Sequence, residues 1–297
     1  DFLVEIGTEE LPPKSLKTLM SAFTLGIEGE LNKAKLQHIA IKGYATPRRL
    51  AVLVSGLDSQ QADTEAERLG PAVAAAFDSD GAPTPPALGF AKGCGVDVTD
   101  LEQTETDKGL RLVFRRVEKG LATEALLPDI VNKALKDLPI ARRMRWSASR
   151  IEFVRPIHWV VMLFGKNVVP ASIMGLQSSH TTRGHRFHSN TEISIATPSD
   201  YANTLRQAFV IADFVERRTL IEDGVNALAQ GAGGNAVIDV DLLDEVTARA
   251  AVGSFRRTLF GGARRSPRFV NERTSEVFSC GRCCWPASAT LYYRCQY

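Results

Sequence analysis

Hydrophobic positions at the start of the chain follow two different periods, which predict a strand and then a helix. Residues 2–7 are apolar apart from Glu5, which we expect to face outward from a strand. Pro12 suits the first turn of a helix. The apolar residues that follow recur at three- and four-residue spacing, as on one face of an amphipathic helix. They are Leu16, Leu19, Met20, Phe23, Ile27 and Leu31.

The same two periods predict the elements that follow. We expect strands at 38–42, 50–57, 110–117, 157–164 and 168–173, with a turn carrying two arginines at 43–49. We expect helices from Thr123 to about 138, and from Ser199 and Asp200 to about 230. Several strands adjoin in sequence. That favours an α+β fold with mixed or antiparallel sheets and packed helices over a doubly wound parallel sheet.

Domain boundaries follow from changes in composition. A stretch rich in proline and glycine predicts a small insertion at 70–105 within an N-terminal region of 1–247. Residues 248–297 hold nine Arg, no Lys and two Glu, a net charge of +7. The whole chain carries +2, so residues 1–247 carry −5. We expect an irregular C-terminal tail, since these residues show no apolar periodicity.

Composition also bears on location. Cys94 is the only cysteine before residue 248, which suits a reducing compartment and predicts a cytoplasmic protein. No run of about 18 apolar residues occurs, so we expect no membrane span.

Arginines with interleaved aromatic residues form the candidate chemistry. Guanidinium groups bind phosphate and aromatic rings stack on bases, so the cluster predicts a surface for RNA or a partner subunit. Its residues are Arg142, Arg143, Arg145, Trp146, Arg155, Arg183, His185, Arg186 and Phe187. The alternative is a solvated connection with Trp146 in the core.

The loop at 183–187 is the strongest part of this cluster. A protonated His185 would strengthen phosphate binding there. In the alternative, the loop is internal and its arginines pair with acids such as Glu216 or Asp213. His180, His185 and His188 also allow a metal site and a metallohydrolase, although their spacing is not that of a zinc finger.

Motifs for catalysis are absent from the sequence. It has no G-x-x-x-x-G-K-[ST] loop and no G-x-S-x-G turn. We therefore expect no catalytic residue, no metal and no cofactor bound by this chain.

Nine blocks, in order along the chain, resemble the beta subunit of the bacterial two-subunit glycyl-tRNA synthetase. They lie at 2–13, 45–51, 68–72, 106–109, 123–128, 144–146, 153–156, 182–187 and 233–236. The resemblance implies a non-catalytic subunit that recognises tRNA(Gly). It also implies an alpha subunit, in an alpha2beta2 assembly, that activates glycine with ATP and Mg²⁺. A non-synthetase RNA-binding or assembly module is the other alternative.

The tail has three interpretations: a disordered basic segment, a zinc module using Cys280 and Cys283, or a frame error in the gene. Reading each codon from Arg257 one base later allows synonymous codons to encode ERFLEVPAEALVSSM. That string resembles the beta subunit family at this point. The family's later parts, an HD-like helical domain and an anticodon-binding region, would then be lost through the frame error.

We predict that sequencing the gene across the codons for Asp244 to Arg257 will reveal a change of reading frame. The corrected frame should encode the string above. An intact reading frame across these codons would eliminate the frame-error hypothesis and return the tail to the other two interpretations.

Overall fold

The computed structural model describes residues 1–252 except 79, 80, 107, 108, 147–149, 190, 232 and 233. Beyond 252 it describes only the backbone of short strand segments.

The strands, in chain order, are β1 (Phe2–Thr8), β2 (Ala40–Thr46), β3 (Arg49–Ser55), β4 (Thr64–Ala72), β5 (Glu102–Thr106), β6 (Gly109–Glu118), β7 (Met144–Arg145), β8 (Glu152–Phe153), β9 (Ile157–Phe164), β10 (Asn167–Val168), β11 (Ser172–Ile173), β12 (Leu176–Ser179), β13 (Thr181–Arg183), β14 (Glu192–Ser194), β15 (Asn235–Ala236), β16 (Arg256–Thr258), β17 (Arg268–Val270), β18 (Val277–Ser279), β19 (Thr290–Leu291) and β20 (Arg294–Cys295). The α-helices are α1 (Pro13–Lys33), α2 (Val73–Ala76), α3 (Pro85–Cys94), α4 (Thr123–Lys136), α5 (Tyr201–Gln207), α6 (Phe214–Gly231) and α7 (Val240–Arg249). Short 3-10 turns lie at Val98–Asp100 and Pro198–Asp200. The class is α+β, as the sequence predicts.

Among the described residues the largest sheet has the strand order β11-β12-β9-β1-β3-β2, with β10 also paired to β9. Its central strand, β1, runs antiparallel to β3 and β9. Strand β12 is parallel to β9, which makes the sheet mixed. The sequence thus opens on the strand that becomes the middle of the sheet.

Alternate residues of β1 face two different hydrophobic cores. Phe2, Val4 and Ile6 pack with the buried faces of α1 and α4. Leu3 packs on the other face, with Trp159 of β9 and Tyr201 of α5. Both faces of the sheet are therefore covered.

Glu5 shares the second face and is fully buried. The prediction that it faces outward is wrong. Alternation along a strand identifies an exposed position only where one face of the sheet meets water, and here neither face of β1 does.

Residues 60–122 form a separate compact unit, a wider segment than the expected insertion at 70–105. Strands β4, β6 and β5 make an antiparallel sheet. Ala76, Ala87 and Leu112 form its small buried core. Strands β4 and β5 escaped prediction because their sequences are mostly polar.

Three predicted boundaries need correction. The expected turn at 43–49 is mostly strand, since β2 continues to Thr46 and only Pro47 and Arg48 lie between β2 and β3. The expected helix at 199–230 is interrupted between α5 and α6, where Phe209 adopts a left-handed φ of 60°. The tail was expected from 248, yet α7 reaches Arg249 and Val252 is buried.

The rest of the proposed tail lies outside the residues whose side chains are described. Cys280 and Cys283, the candidate zinc ligands, belong to this part of the tail, whose side chains are not described. No helix in the described part of the chain combines the length and hydrophobicity needed to cross a bilayer.

A buried arginine joins α6 to the sheet and to α7. Arg217 is 0% exposed, and its guanidinium donates to the carbonyl oxygens of Ile211 (2.6 Å), Ala45 (2.8 Å) and Thr247 (3.1 Å). Burial lowers the pKa of Arg217 to about 9, so the group remains charged at neutral pH. Its stability in the core depends on these carbonyl contacts.

We predict that Arg217→Met lowers the free energy of unfolding by more than about 3 kcal/mol. Each buried carbonyl oxygen left without a donor costs about 1–3 kcal/mol, and Met has a similar length but no N–H. The measurement is urea unfolding of the purified chain.

Arg218→Met is the matched control. Arg218 is partly exposed and pairs with Asp244 and Glu222, so its loss should cost less than about 1 kcal/mol. Equal losses in the two variants would contradict the role assigned to Arg217.

Candidate nucleic-acid interface

Backbone hydrogen bonds gather three segments at the end of β1. The N–H of Thr8 donates to the carbonyl of Arg48 (2.8 Å), and that of Leu11 to the carbonyl of Pro47 (2.7 Å). The N–H of Glu9 donates to the carbonyl of Pro156 (2.9 Å). The β2–β3 turn and the start of β9 are thereby fixed against the segment that follows β1.

The loop after β13 is held against the same place. The Arg49 guanidinium donates to the carbonyl of Arg183 (2.7 Å). The N–H of His185 donates to the carbonyl of Ala208, just beyond α5 (3.0 Å). A Cβ at Gly184 would lie 2.5 Å from the carbonyl oxygen of Ser189. Glycine at 184 therefore allows close packing within the loop.

The Glu5 carboxylate lies at the centre of this arrangement. Its Oε1 accepts from the indole Nε1 of Trp159 (2.5 Å) and from the hydroxyl of Thr182. Arg49 Nη1 lies 3.9 Å from Oε2, and both side chains are buried. Burial, and then the Glu5 charge, raise the pKa of Tyr201 well above its usual range, so its hydroxyl keeps its proton.

A cavity of about 290 Å³ opens beside Arg49. Its cationic lining comes from separate parts of the sequence and consists of Arg48, Arg49, Arg186 and Arg249, with Glu10, His185 and Phe187 among the other lining residues. The lining arginines each pair with a carboxylate elsewhere: Arg48–Glu9 (3.7 Å), Arg49–Glu5 (3.9 Å), Arg186–Glu10 (2.8 Å) and Arg249–Glu245 (2.7 Å). The Arg48–Glu9 and Arg49–Glu5 distances exceed hydrogen-bond length, so these two pairs leave guanidinium N–H groups without an acceptor.

Some of those N–H groups are buried without an acceptor. Among the described residues, Arg48 Nε has no hydrogen-bond partner, nor have Arg49 Nε and Nη1. Buried donors without acceptors are rare in folded proteins and costly. Of these, Arg49 Nη1 lies nearest to Glu5 Oε2, which also lacks a hydrogen-bond partner among the described residues.

His185 is neutral at physiological pH, so the stronger phosphate contact that a protonated ring would give does not arise. Its Nδ1 accepts from the backbone N–H of Phe187 and of His188, both at 3.3 Å. Burial lowers the pKa of His185 to about 4, with further lowering by the positive charges of His188, Arg186 and Arg49. The ring supports the loop and adds no cation to it.

The loop arginines do pair with acids, but not with those expected. Arg183 pairs with Glu192 (3.6 Å) and Arg186 with Glu10 (2.8 Å). Glu216 pairs with Arg206, and Asp213 with Lys42. Arg183 and Arg186 are each 46% exposed, so their ion pairs are weak and exchangeable.

The arginines before β9 lie outside this cavity. Arg142 is exposed; Arg143 donates to the carbonyl of Lys136 (2.8 Å), and Arg145 pairs with Glu152 (2.9 Å). Trp146 packs against the main core, as the alternative interpretation expected.

Arg155 is the member of that group that approaches the loop. Its Nε donates to the backbone carbonyl of Glu10 (3.1 Å). Arg155 and Arg186 line one open depression with Met144, next to the cavity. Arg155 and Arg186 thus extend the row of cavity arginines into the depression, where Glu9 and Glu10 also line the wall. We call this row of arginines the basic strip.

The histidines give no support to a metal site. His185 and His188 stack with their ring centroids 4.7 Å apart, while His185 Nδ1 is occupied by backbone donors. Across the described residues, no group of three or more His, Cys, Asp or Glu side chains is placed to hold a metal ion.

Sequence reasoning missed Arg48, Arg49, Trp159, Arg249 and the role of Glu5. A signal was present for two of these features. Glu5 interrupts an apolar strand, and a carboxylate there needs a buried partner if the strand is central. The adjacent arginines at 48 and 49 follow a proline in a two-residue connection, which fixes their direction.

The chain is similar to known proteins over most of its length. Residues 2–255 match the family described as glycyl-tRNA synthetase beta subunit. The chain is 53% identical over 280 residues to the glycine–tRNA ligase beta subunit of Hahella chejuensis, covering 94% of this chain and 40% of that relative. It is 53% identical over 250 residues to the one from Marinobacter nauticus (84% and 36%) and 52% identical over 248 residues to that of Ectopseudomonas mendocina (84% and 36%).

This chain therefore spans about two fifths of the length of the curated relatives it matches. The family match includes all of the 60–122 unit and the other unit as far as residue 255, with β1, the β2–β3 turn and the loop after β13. On these grounds the chain belongs to the glycyl-tRNA synthetase beta subunit family.

Proposed function

We propose that this chain is the N-terminal, tRNA-recognising part of a glycine–tRNA ligase beta subunit. Family membership carries the proposal, and the arginine-lined cavity with its adjoining basic strip supports it. Sequence-independent affinity for RNA comes mainly from cations placed against phosphates. Arginines held on the loops of a rigid sheet meet that requirement.

The proposal assigns the chemistry to another chain. The alpha subunit binds ATP and Mg²⁺ and activates glycine, and the two subunits form an alpha2beta2 assembly in the cytoplasm. Glycine has no side chain that a pocket can recognise. Correct pairing of glycine with its tRNA therefore depends strongly on contacts with tRNA(Gly). A positioning surface remote from the reacting atoms contributes by orienting the acceptor end.

We predict that the purified chain alone catalyses no glycine-dependent exchange of pyrophosphate into ATP above background. Addition of the alpha subunit with a full-length beta subunit should supply the exchange activity. Robust exchange by this chain without any alpha subunit would refute the division of labour proposed here.

We also predict that Arg183→Ala combined with Arg186→Ala weakens tRNA(Gly) binding by a full-length beta subunit. The salt dependence of log K should fall by about one to two units of slope, because two phosphate contacts are lost. Fluorescence anisotropy titrations at several salt concentrations measure both quantities.

The control is Lys33→Ala combined with Lys133→Ala, which changes the net charge equally. Both lysines pair with Glu30, on the α1 and α4 side of the sheet. The proposal predicts little change in tRNA affinity for this variant. Equal weakening in both double variants would show that net charge, and not the loop, determines the affinity.

A further inference from the structure

The cavity beside Arg49 has the donor chemistry of an anion site. Arg49 is 3% exposed and is one of the lining residues. Two of its guanidinium nitrogens, Nε and Nη1, are buried and have no hydrogen-bond partner among the described residues. Arg48 adds a third buried donor of this kind, its Nε. Arg49 Nη1 lies 3.9 Å from Glu5 Oε2, but the lining as a whole holds four arginines and one acid, Glu10. That excess of guanidinium groups suits a ligand rich in acceptor oxygens, such as phosphate or carboxylate.

His185 makes the cavity lining richer in donors than in acceptors. Its Nδ1 accepts two backbone N–H groups, so the proton of the neutral ring resides on Nε2. The side chain therefore contributes a donor and no free acceptor to the cavity lining. A ligand with its own N–H groups finds few acceptors here apart from Glu10.

The rim favours a nucleotide over a protein carboxylate. Phe187 is 66% exposed, and the guanidinium of Arg186 lies 4.6 Å from its ring centroid. Arg186 leaves much of the ring open to solvent, where a base can stack. A cavity of about 290 Å³ accommodates about one nucleotide unit.

Glu10 competes with a bound anion for Arg186. Its carboxylate pairs with Arg186 at 2.8 Å, and the two side chains are 65% and 46% exposed. An exposed pair of this kind is weak. An incoming phosphate therefore displaces Glu10 from Arg186 at little cost.

We propose that this cavity binds a single phosphate group of the tRNA, with the adjoining base stacked on Phe187 and with Glu10 as the competing internal anion. The proposal rests on the proposed function and adds the group of the RNA that enters and the residue that opposes it. The phosphate belongs either to the backbone or to the 5′ end of the tRNA.

Three variants test this in a full-length beta subunit titrated with labelled tRNA(Gly). Arg48→Gln should weaken binding roughly tenfold and lower the salt slope by about one unit. Phe187→Ala should weaken binding by roughly fivefold or more with an unchanged salt slope, since stacking involves no counterion release. Glu10→Gln should tighten binding several-fold, an effect that misfolding does not produce.

Two further arms identify the phosphate and separate this inference from the proposed function. With tRNA that lacks its 5′-phosphate, unchanged discrimination between wild type and Arg48→Gln assigns a backbone phosphate, and lost discrimination assigns the 5′ end. Inorganic phosphate, compared with chloride at equal ionic strength, should raise the unfolding temperature of wild type more than that of Arg48→Gln.

Each outcome bears on one claim. If wild type binds tRNA and none of the three variants changes its affinity, the cavity assignment is wrong and the proposed function stands. If the variants change binding of the alpha subunit and not of tRNA, the ligand is a protein carboxylate and the assignment is again wrong. If wild type binds neither tRNA nor the alpha subunit, the proposed function fails, and the phosphate arm alone decides whether the cavity is an anion site.

Discussion

The buried carboxylate of Glu5 is the interaction on which the site depends. A charge in the middle of a central strand, covered on both faces, is stable only with strong donors around it. Those donors are Trp159 of β9 and Thr182 of β13, with Arg49 of β3 completing the charge balance. Glu5 thus connects the strands that position both walls of the cavity.

Packing around this carboxylate accounts for other positions on the same face. A Cβ at Gly7 would overlap the Trp159 indole, so glycine two residues after Glu5 lets the ring lie across β1. Arg49 and Arg183 lie 5.7 Å and 5.5 Å from the centre of that ring. Both guanidinium groups are within cation–π distance of the indole.

The sequence predicted the elements whose hydrophobic pattern is clear along the chain. Helices α1 and α4 were found because a clean apolar stripe meets a polar face, and β9 because its apolar run is long. Helix α7 was missed although all but its last two residues lie before the expected tail. Its buried Leu243 and Val246 depend on contacts with α6 that periodicity does not reveal.

The site was only partly predictable for a related reason. Local density identified the arginines at 142, 143 and 145, yet these lie apart from the cavity. The cavity collects single arginines from segments far apart in sequence, around 48, 186 and 249, and only the folded sheet brings them together. The loop at 183–187 was found because its composition is unusual. Its real acid partners were not, since they depend on the end of β1 and on β14.

Arg217 has a consequence for the order in which the chain folds during synthesis. Its carbonyl partners lie before, beside and after it in sequence, at Ala45, Ile211 and Thr247. As the polypeptide leaves the ribosome, the guanidinium emerges well before its last acceptor, and until then water must solvate the charge. The set of acceptors around Arg217 is therefore complete only once α7 has formed. All strands of the large sheet, up to β12, therefore precede in synthesis the helix that completes the surroundings of this buried charge.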